Sequence, residues 1–119
     1  MTREIKKIVA KEDTFDQLEI RLGKIIAVED APAAPKKAYK LTIDFGKFGT
    51  RISVGRFTGH SPEDLNGQQV MGVLNFATRQ VGETVSEVLI LGVQYPKAES
   101  GEATFITPAT TAKIGGKLF

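Results

Sequence analysis

Apolar residues at Tyr39, Leu41, Ile43 and Phe45 alternate with Lys40, Thr42 and Asp44, the period of two of a strand with one buried and one wet face. Gly46-Lys47-Phe48-Gly49 then reads as a hairpin turn into Arg51-Ile52-Ser53-Val54-Gly55. That second strand is predicted to point Ile52 and Val54 inward and Arg51 and Ser53 outward. Upstream, residues 20–30 keep apolar side chains at Ile20, Leu22, Ile26 and Val28 and break phase at Lys24 and Ile25, beside Gly23. A β-branched run with such a slip predicts a bulged, strongly coiled strand. Ala31-Pro32-Ala33-Ala34-Pro35 can sustain neither a ladder nor a helix, so it is a loop that delivers Lys36 and Lys37 to the next strand.

Two short helical signals punctuate these strands. In Thr14-Phe15-Asp16-Gln17 the threonine hydroxyl can accept from the third helical amide while Gln17 reaches back to the cap, predicting one turn of helix from Thr14 to about Glu19. Ser61-Pro62-Glu63-Asp64-Leu65 offers a cap residue, a proline at the first helical position and carboxylates at the positive helix end, and Asn66-Gly67 stops it. Residues 70–76 and 85–93 are apolar runs suited to strands buried on both faces, and Phe105-Ile106-Thr107 reads as a last short strand. The predicted class is therefore all-β with short helices. Five strands, with a helix between the third and fourth, are the order of an oligonucleotide/oligosaccharide-binding (OB-fold) barrel, here with N- and C-terminal extensions. Such barrels bind ligands on strands two and three between two flanking loops, which here are residues 30–38 and 77–85.

The chain has 119 residues, enough for one domain over 14–119 behind an N-terminal arm, 1–13. It contains no cysteine, which excludes disulfides, thiolate metal sites and cysteine nucleophiles. With His60 as its single histidine, no recognisable zinc set assembles either. Nucleophile elbow, phosphate-binding glycine loop and dinucleotide fingerprint are all missing, so neither enzyme nor cofactor is expected. The first ten residues lack the apolar run of a signal or a membrane span, which leaves the cytoplasm as the expected compartment. A net charge of +2 is small, but residues 1–60 hold 12 Lys/Arg against 8 Asp/Glu, or +4, and residues 61–119 hold 4 against 6, or −2. The basic surface belongs to the first half.

Placed on a barrel, Lys36, Lys37, Lys40 and Arg51 fall on or beside the ligand face, with Arg79 in the facing loop, a cluster able to neutralise phosphates. A solvated hairpin face is the plainer reading of Lys40 and Arg51. Ser86 can donate to a phosphate or a peptide carbonyl, or satisfy a loop amide. Tyr39 is in phase with the core, and Phe76 is read the same way, so base stacking is not advertised. Phe76, Val81 and Leu89 nevertheless surround the long 77–85 loop with apolar surface.

These residues resemble the tRNA-binding barrel domain found in small tRNA-binding proteins, in the C-terminal appendage of methionyl-tRNA synthetases and in CsaA-type export chaperones. The resemblance spans about Phe15 to Lys117 and is carried by Phe15-Asp16 with Leu18, Ile20 to Ile25, Lys37 to Gly46, Ser53-Val54-Gly55, Ser61 to Leu65 with Gly67, Asn75-Phe76, Ser86-Glu87, Pro108 and Gly115. Val73 to Phe76 and Ser86 to Gly92 look most like the CsaA branch. Ala77 and Thr78 stand where the tRNA-binding branch usually has lysine and proline, and Val88 and Leu89 where it tends to have glycine and methionine. The resemblance matches Lys37, Lys40, Arg79 and Ser86 to family positions; Lys36 and Arg51 rest on the barrel mapping alone. It implies a non-catalytic homodimer, with Phe15, Leu18 and Phe119 as interface candidates, that binds tRNA or another structured RNA. The alternative it implies is a chaperone for unfolded precursor proteins, with Phe76, Val81 and Leu89 as peptide contacts.

Overall fold

Strand β1 (Ile20–Asp30) is long enough to serve different neighbours with its two halves. In the computed structural model, which describes residues 2–97 and 102–119, residues 20–24 pair antiparallel with β4 (Gln69–Val73), and residues 24–30 pair antiparallel with β2 (Tyr39–Asp44). The free edge of the first half is taken by the C-terminal segment: Gly115 N–H donates to Leu22 C=O, and Leu22 N–H to Gly116 C=O. Strand β3 (Thr50–Gly55) continues beyond β2, and β7 (Leu89–Ile90) beyond β4, giving the sheet order β3-β2-β1-β4-β7. This five-stranded antiparallel sheet curls into a nearly closed OB-like barrel, with helix α1 (Pro62–Leu65) between β3 and β4.

Alternation in β2 holds as expected: Tyr39, Leu41, Ile43 and Phe45 are buried and pack with Ile25, Phe57, Leu65, Val70, Val88 and Ile90 inside the barrel. Phe45 fills the centre. A Cβ on Gly72 would lie 2.7 Å from its Cζ atom, so only a glycine lets β4 pass that close to the ring. Ser61 caps α1 by accepting from Asp64 N–H, and Leu65 plugs the barrel end. Because β4 is buried on both faces, a second apolar cluster forms outside the barrel: Ile20, Leu22, Met71 and Val73, covered by Phe15, Leu18, Leu91 and Leu118.

Several expectations need correction. The bulge in β1 lies at Ile26, between Ile25 and Ala27, so Ile25 is the inward residue and Ile26 is 48% exposed. The β3 facing is reversed. Ser53 pairs with Leu41 and is only 3% exposed, whereas Ile52 and Val54 pair with Thr42 and Lys40 on the outer face. The turn at Gly46–Phe48 does close the expected β2–β3 hairpin, as a 3₁₀ turn. Thr14 caps nothing; its hydroxyl donates to Ala10 C=O at 2.7 Å. Gln17 donates to Glu12 C=O instead of reaching back, and the helix is a 3₁₀ turn, Phe15–Gln17.

The 85–93 run is not one strand. It divides into β6 (Thr84–Ser86), β7, and β8 (Gly92–Gln94), which pairs with β9 (Ala103–Phe105). The 77–85 connection forms its own hairpin of β5 (Arg79–Val81) with β6, turned by Gly82 at φ 60°, a backbone glycine adopts without strain. Strand β4 stops at Val73, so Phe76 is not core; its side chain is 48% exposed.

Candidate binding groove

The outer edge of β3 would leave backbone N–H groups unpaired, and such an edge invites pairing. Ser86 and Glu87 close it. Ser86 Oγ accepts from Val54 N–H at 3.1 Å, Glu87 Oε1 accepts from Ile52 N–H at 2.9 Å, and Glu87 N–H donates to Ile52 C=O at 2.7 Å. Ser86 thus satisfies an amide of strand β3 and not of the loop, and its hydroxyl proton remains available to donate. This docking fixes the base of the β5–β6 hairpin against the barrel, and its tip reaches the 31–35 loop. A Cβ on Gly82 would collide with the Ala33 carbonyl, so the glycine allows backbone to meet backbone there.

Two adjoining hollows result. The first, about 450 Å³, lies between the end of β3 and residues 76–90, with Phe57, Phe76, Val88 and Leu89 among its walls beside Ser86 and Glu87. The second, about 270 Å³, lies beneath the hairpin tip and is bounded by Ala34, Pro35, Lys36, Val81 and Gly82. Val54, Arg56 and Arg79 line both. The hollows therefore share a wall that is apolar at its centre and cationic at its sides.

The anticipated residues divide between this groove and its surroundings. Lys36, Arg79 and Val81 line the smaller hollow; Arg79, Ser86, Phe76 and Leu89 line the larger. Lys37 is exposed beside the groove, and its carbonyl accepts from Arg56 Nε at 3.4 Å. Lys40 stands one strand away. It faces Val54 on one side and Glu29 on the other, with Nζ 4.0 Å from the Glu29 carboxylate. Arg51 is apart from these, since it pairs with Ile43 on the inward face of the hairpin. Tyr39 is core, as expected, and donates its hydroxyl to His60 C=O.

Asn75 turns out to be a staple. Its side chain accepts from Glu19 N–H and donates to Gln17 C=O, both at 2.8 Å, extending the β1–β4 pairing beyond the last strand residue. Phe15 and Leu18 are half-buried against the outer cluster, while Phe119 is 99% exposed. His60 Nε2 lies 3.0 Å from Thr104 Oγ1. Among the described residues, no group of three or more His, Asp or Glu side chains could hold a metal ion, and no helix is long and apolar enough to cross a membrane.

Arg56 is the groove residue that sequence reasoning missed. It stands just past β3 in Gly55-Arg56-Phe57-Thr58-Gly59, where strand periodicity has ended. A basic residue and an aromatic flanked by glycines, directly after a ligand-face strand, was the available signal.

The model of a family described as "Putative tRNA binding domain" matches residues 20–117. Among solved structures, the chain is similar to the chaperone CsaA of Bacillus anthracis str. Ames, with a TM-score of 0.84 and 33% identity over 95% of this chain and 100% of that one. Similarity to the CsaA chaperone protein of Picrophilus torridus is nearly equal, with a TM-score of 0.83 and 31% identity over 94% and 100%. The methionine–tRNA ligase of Pyrococcus abyssi is 30% identical over 117 residues, which is 98% of this chain but 15% of the ligase. The chain thus spans a small part of the length of the ligases it matches.

Proposed function

Because the chain belongs to the tRNA-binding domain family, we propose that it binds tRNA or another structured RNA, without catalysis or cofactor, along the groove between the 31–38 loop and the β5–β6 hairpin. The observation that carries this reading is the meeting of Lys36, Arg56 and Arg79 at one cleft. Lys37 and Lys40 flank it as weaker phosphate contacts, and Lys40 is partly offset by Glu29. Ser86 acts mainly by holding the hairpin in place. Arg51 is a peripheral contact at most, because its register aims it at the barrel interior side.

Phosphate contacts release counterions, so affinity falls with salt in proportion to their number. With about three phosphates neutralised, tRNA affinity is expected to drop roughly 20- to 40-fold between 50 and 200 mM salt. Filter binding of tRNA at the two salt concentrations, repeated with Arg79→Ala, tests this. Salt-insensitive binding with wild-type affinity in the variant would contradict it.

A homodimer that doubles the basic face is part of the proposal. Its contacts are Phe119 and the half-buried Phe15 and Leu18 on the outer side of β1 and β4, and sedimentation would reveal it. The compartment proposed is the cytoplasm, and the unit proposed is a single domain over 14–119 behind the 1–13 arm, of which Met1 lies outside the described residues.

A second reading is favoured by Phe76 and Leu89, about half exposed in the larger hollow, with Val81 in the adjoining smaller one. A precursor segment could place apolar side chains there, as a CsaA-type chaperone would require. Suppression of aggregation of an unfolded client, weakened by Val81→Glu, is then expected; no suppression at one dimer per client would rule it out.

A further inference from the structure

We infer that residues 2–10 form a second RNA-contacting element, an arm whose Arg3, Lys6 and Lys7 close on the phosphates of an RNA lying in the groove. The inference deepens the RNA-binding reading and rests on it. It concerns a segment ahead of the matched domain, which begins at residue 20.

Charge sets the arm apart from the rest of the chain. Residues 1–10 hold 3 Lys/Arg against 1 Asp/Glu, or +2, whereas residues 11–119 hold 13 against 13, or 0. All of the net charge therefore sits in the first ten residues. Lys11 is paired with Asp16 at 2.6 Å, but Arg3, Lys6 and Lys7 have no ion-pair or hydrogen-bond partner among the described residues. Residues 2–10 enter no helix or strand and are exposed throughout, and none of their amides donates a backbone hydrogen bond. Unpaired cations on an unpaired backbone can take the shape of a polyanion, and basic arms of this kind hold nucleic acid by ordering on it.

The root of the arm, by contrast, is fixed, and fixed beside the groove. Ala10 C=O accepts from Asp13 N–H and from the Thr14 hydroxyl, Lys11 C=O accepts from Asp16 N–H, and the Gln17 side-chain amide donates to Glu12 C=O. Asn75 ties Gln17 and Glu19 to the end of β4, and the next residue, Phe76, lines the larger hollow. Residues 2–10 reach about 30 Å when extended, so their cations sweep the approach to the groove. Wound as a helix, at about 100° per residue, the segment gathers Arg3, Lys6 and Lys7 on one face and Ile5, Ile8 and Val9 on the opposite one. Ile5 and Ile8 are 91% and 97% exposed; phosphate contacts that order the arm turn this stripe away from the ligand and toward Phe76 at the groove's lip. The same two faces would suit an anionic lipid surface, but a root fastened at the lip favours a ligand held in the groove.

The test compares tRNA binding by the unaltered chain, by Lys6→Gln/Lys7→Gln and by Lys47→Gln/Lys113→Gln, which removes the same charge away from arm and groove. Affinity is read at 50 and 200 mM salt, and hydrogen exchange at residues 4–10 with and without tRNA. The groove's contacts alone give a fall of roughly 20- to 40-fold between those salts; with the arm engaged, the fall for the unaltered chain is steeper. Lys6→Gln/Lys7→Gln should lower the log–log salt slope by about two, so its loss of affinity at 50 mM is about tenfold greater than at 200 mM. The control should keep the slope of the unaltered chain. Bound tRNA should slow exchange at residues 4–10. If the arm variant keeps the slope of the control, or if tRNA leaves that exchange unchanged, the arm contact is overturned, and tRNA binding that is lost in Arg56→Ala/Arg79→Ala leaves the groove reading standing. If the unaltered chain binds no tRNA, both fall. Binding to phosphatidylserine vesicles that Lys6→Gln/Lys7→Gln abolishes, with an unchanged tRNA slope, would overturn the inference by assigning the arm to a lipid surface.

Discussion

The barrel centre around Phe45 and the hairpin beside the groove are built by opposite means. Around Phe45, large side chains from β1, β2 and β4 interlock, and a methyl group added at Gly72 has nowhere to go. The β5–β6 hairpin buries no residue of its own and is held by hydrogen bonds from Ser86 and Glu87 to the β3 edge and by the approach of Gly82 to the 31–35 loop. Packing therefore sets stability while polar docking shapes the groove. Away from Phe57, Val88 and Ile90, which belong to both, the chain can vary one with limited effect on the other, which suits a scaffold whose ligand surface is made by loops.

Substitutions can break that separation or sharpen it. Phe45→Ala should have the largest effect, destabilising by about 3–5 kcal/mol through the cavity it leaves, as read by denaturant unfolding. Affinity per folded molecule should stay nearly constant. Gly72→Ala should cost about 1–3 kcal/mol by overpacking against Phe45 and Val88, and because Val88 also walls the larger hollow it is the core change nearest the groove. Glu87→Ala should cost about 1 kcal/mol by removing the acceptor for Ile52 N–H. Unlike the core variants, it should speed hydrogen exchange at Ile52 and Val54 selectively and weaken RNA binding by loosening the hairpin. Lys40→Ala should have the smallest effect, below about 1 kcal/mol on stability because its pairing with Glu29 is solvent-exposed, and a smaller effect on affinity than Arg79→Ala. Groove-level losses from Gly72→Ala would show that the two regions are coupled after all.

The same division explains what could be read along the chain. In β2 the alternation sorts inside from outside because one face meets the core and the other meets water. In β3 it misleads: Ile52 and Val54 are apolar although they point outward, and the strand edge they belong to is closed by residues more than thirty positions later. Local periodicity carries no sign of so distant a closure, and Ser53 was assigned to the wrong side as a result. Residues 85–93 read as one strand because Val85, Val88 and Ile90 are strand formers, yet β6 ends at Ser86, whose side chain serves β3, and Glu87 lies outside the ladder with both its amide and its carboxylate on β3. The helix after Ser61 was legible because its cap, proline and carboxylates are adjacent in sequence. Lys36 falls beside the ligand face by the strand order alone and Arg79 by the strand order together with the family resemblance, whereas Arg56 lies where the pattern ends.

The most direct measurement is the salt dependence of tRNA affinity for Arg56→Ala/Arg79→Ala, set against a control, Lys47→Ala/Lys113→Ala, that removes the same charge outside the groove. With both proteins folded, the groove variant should lose most of its affinity and its log–log salt slope should fall by about two, while the control keeps the slope of the unaltered chain. Equal slopes and equal affinities in the two variants would contradict the assignment of this groove as the RNA-binding site.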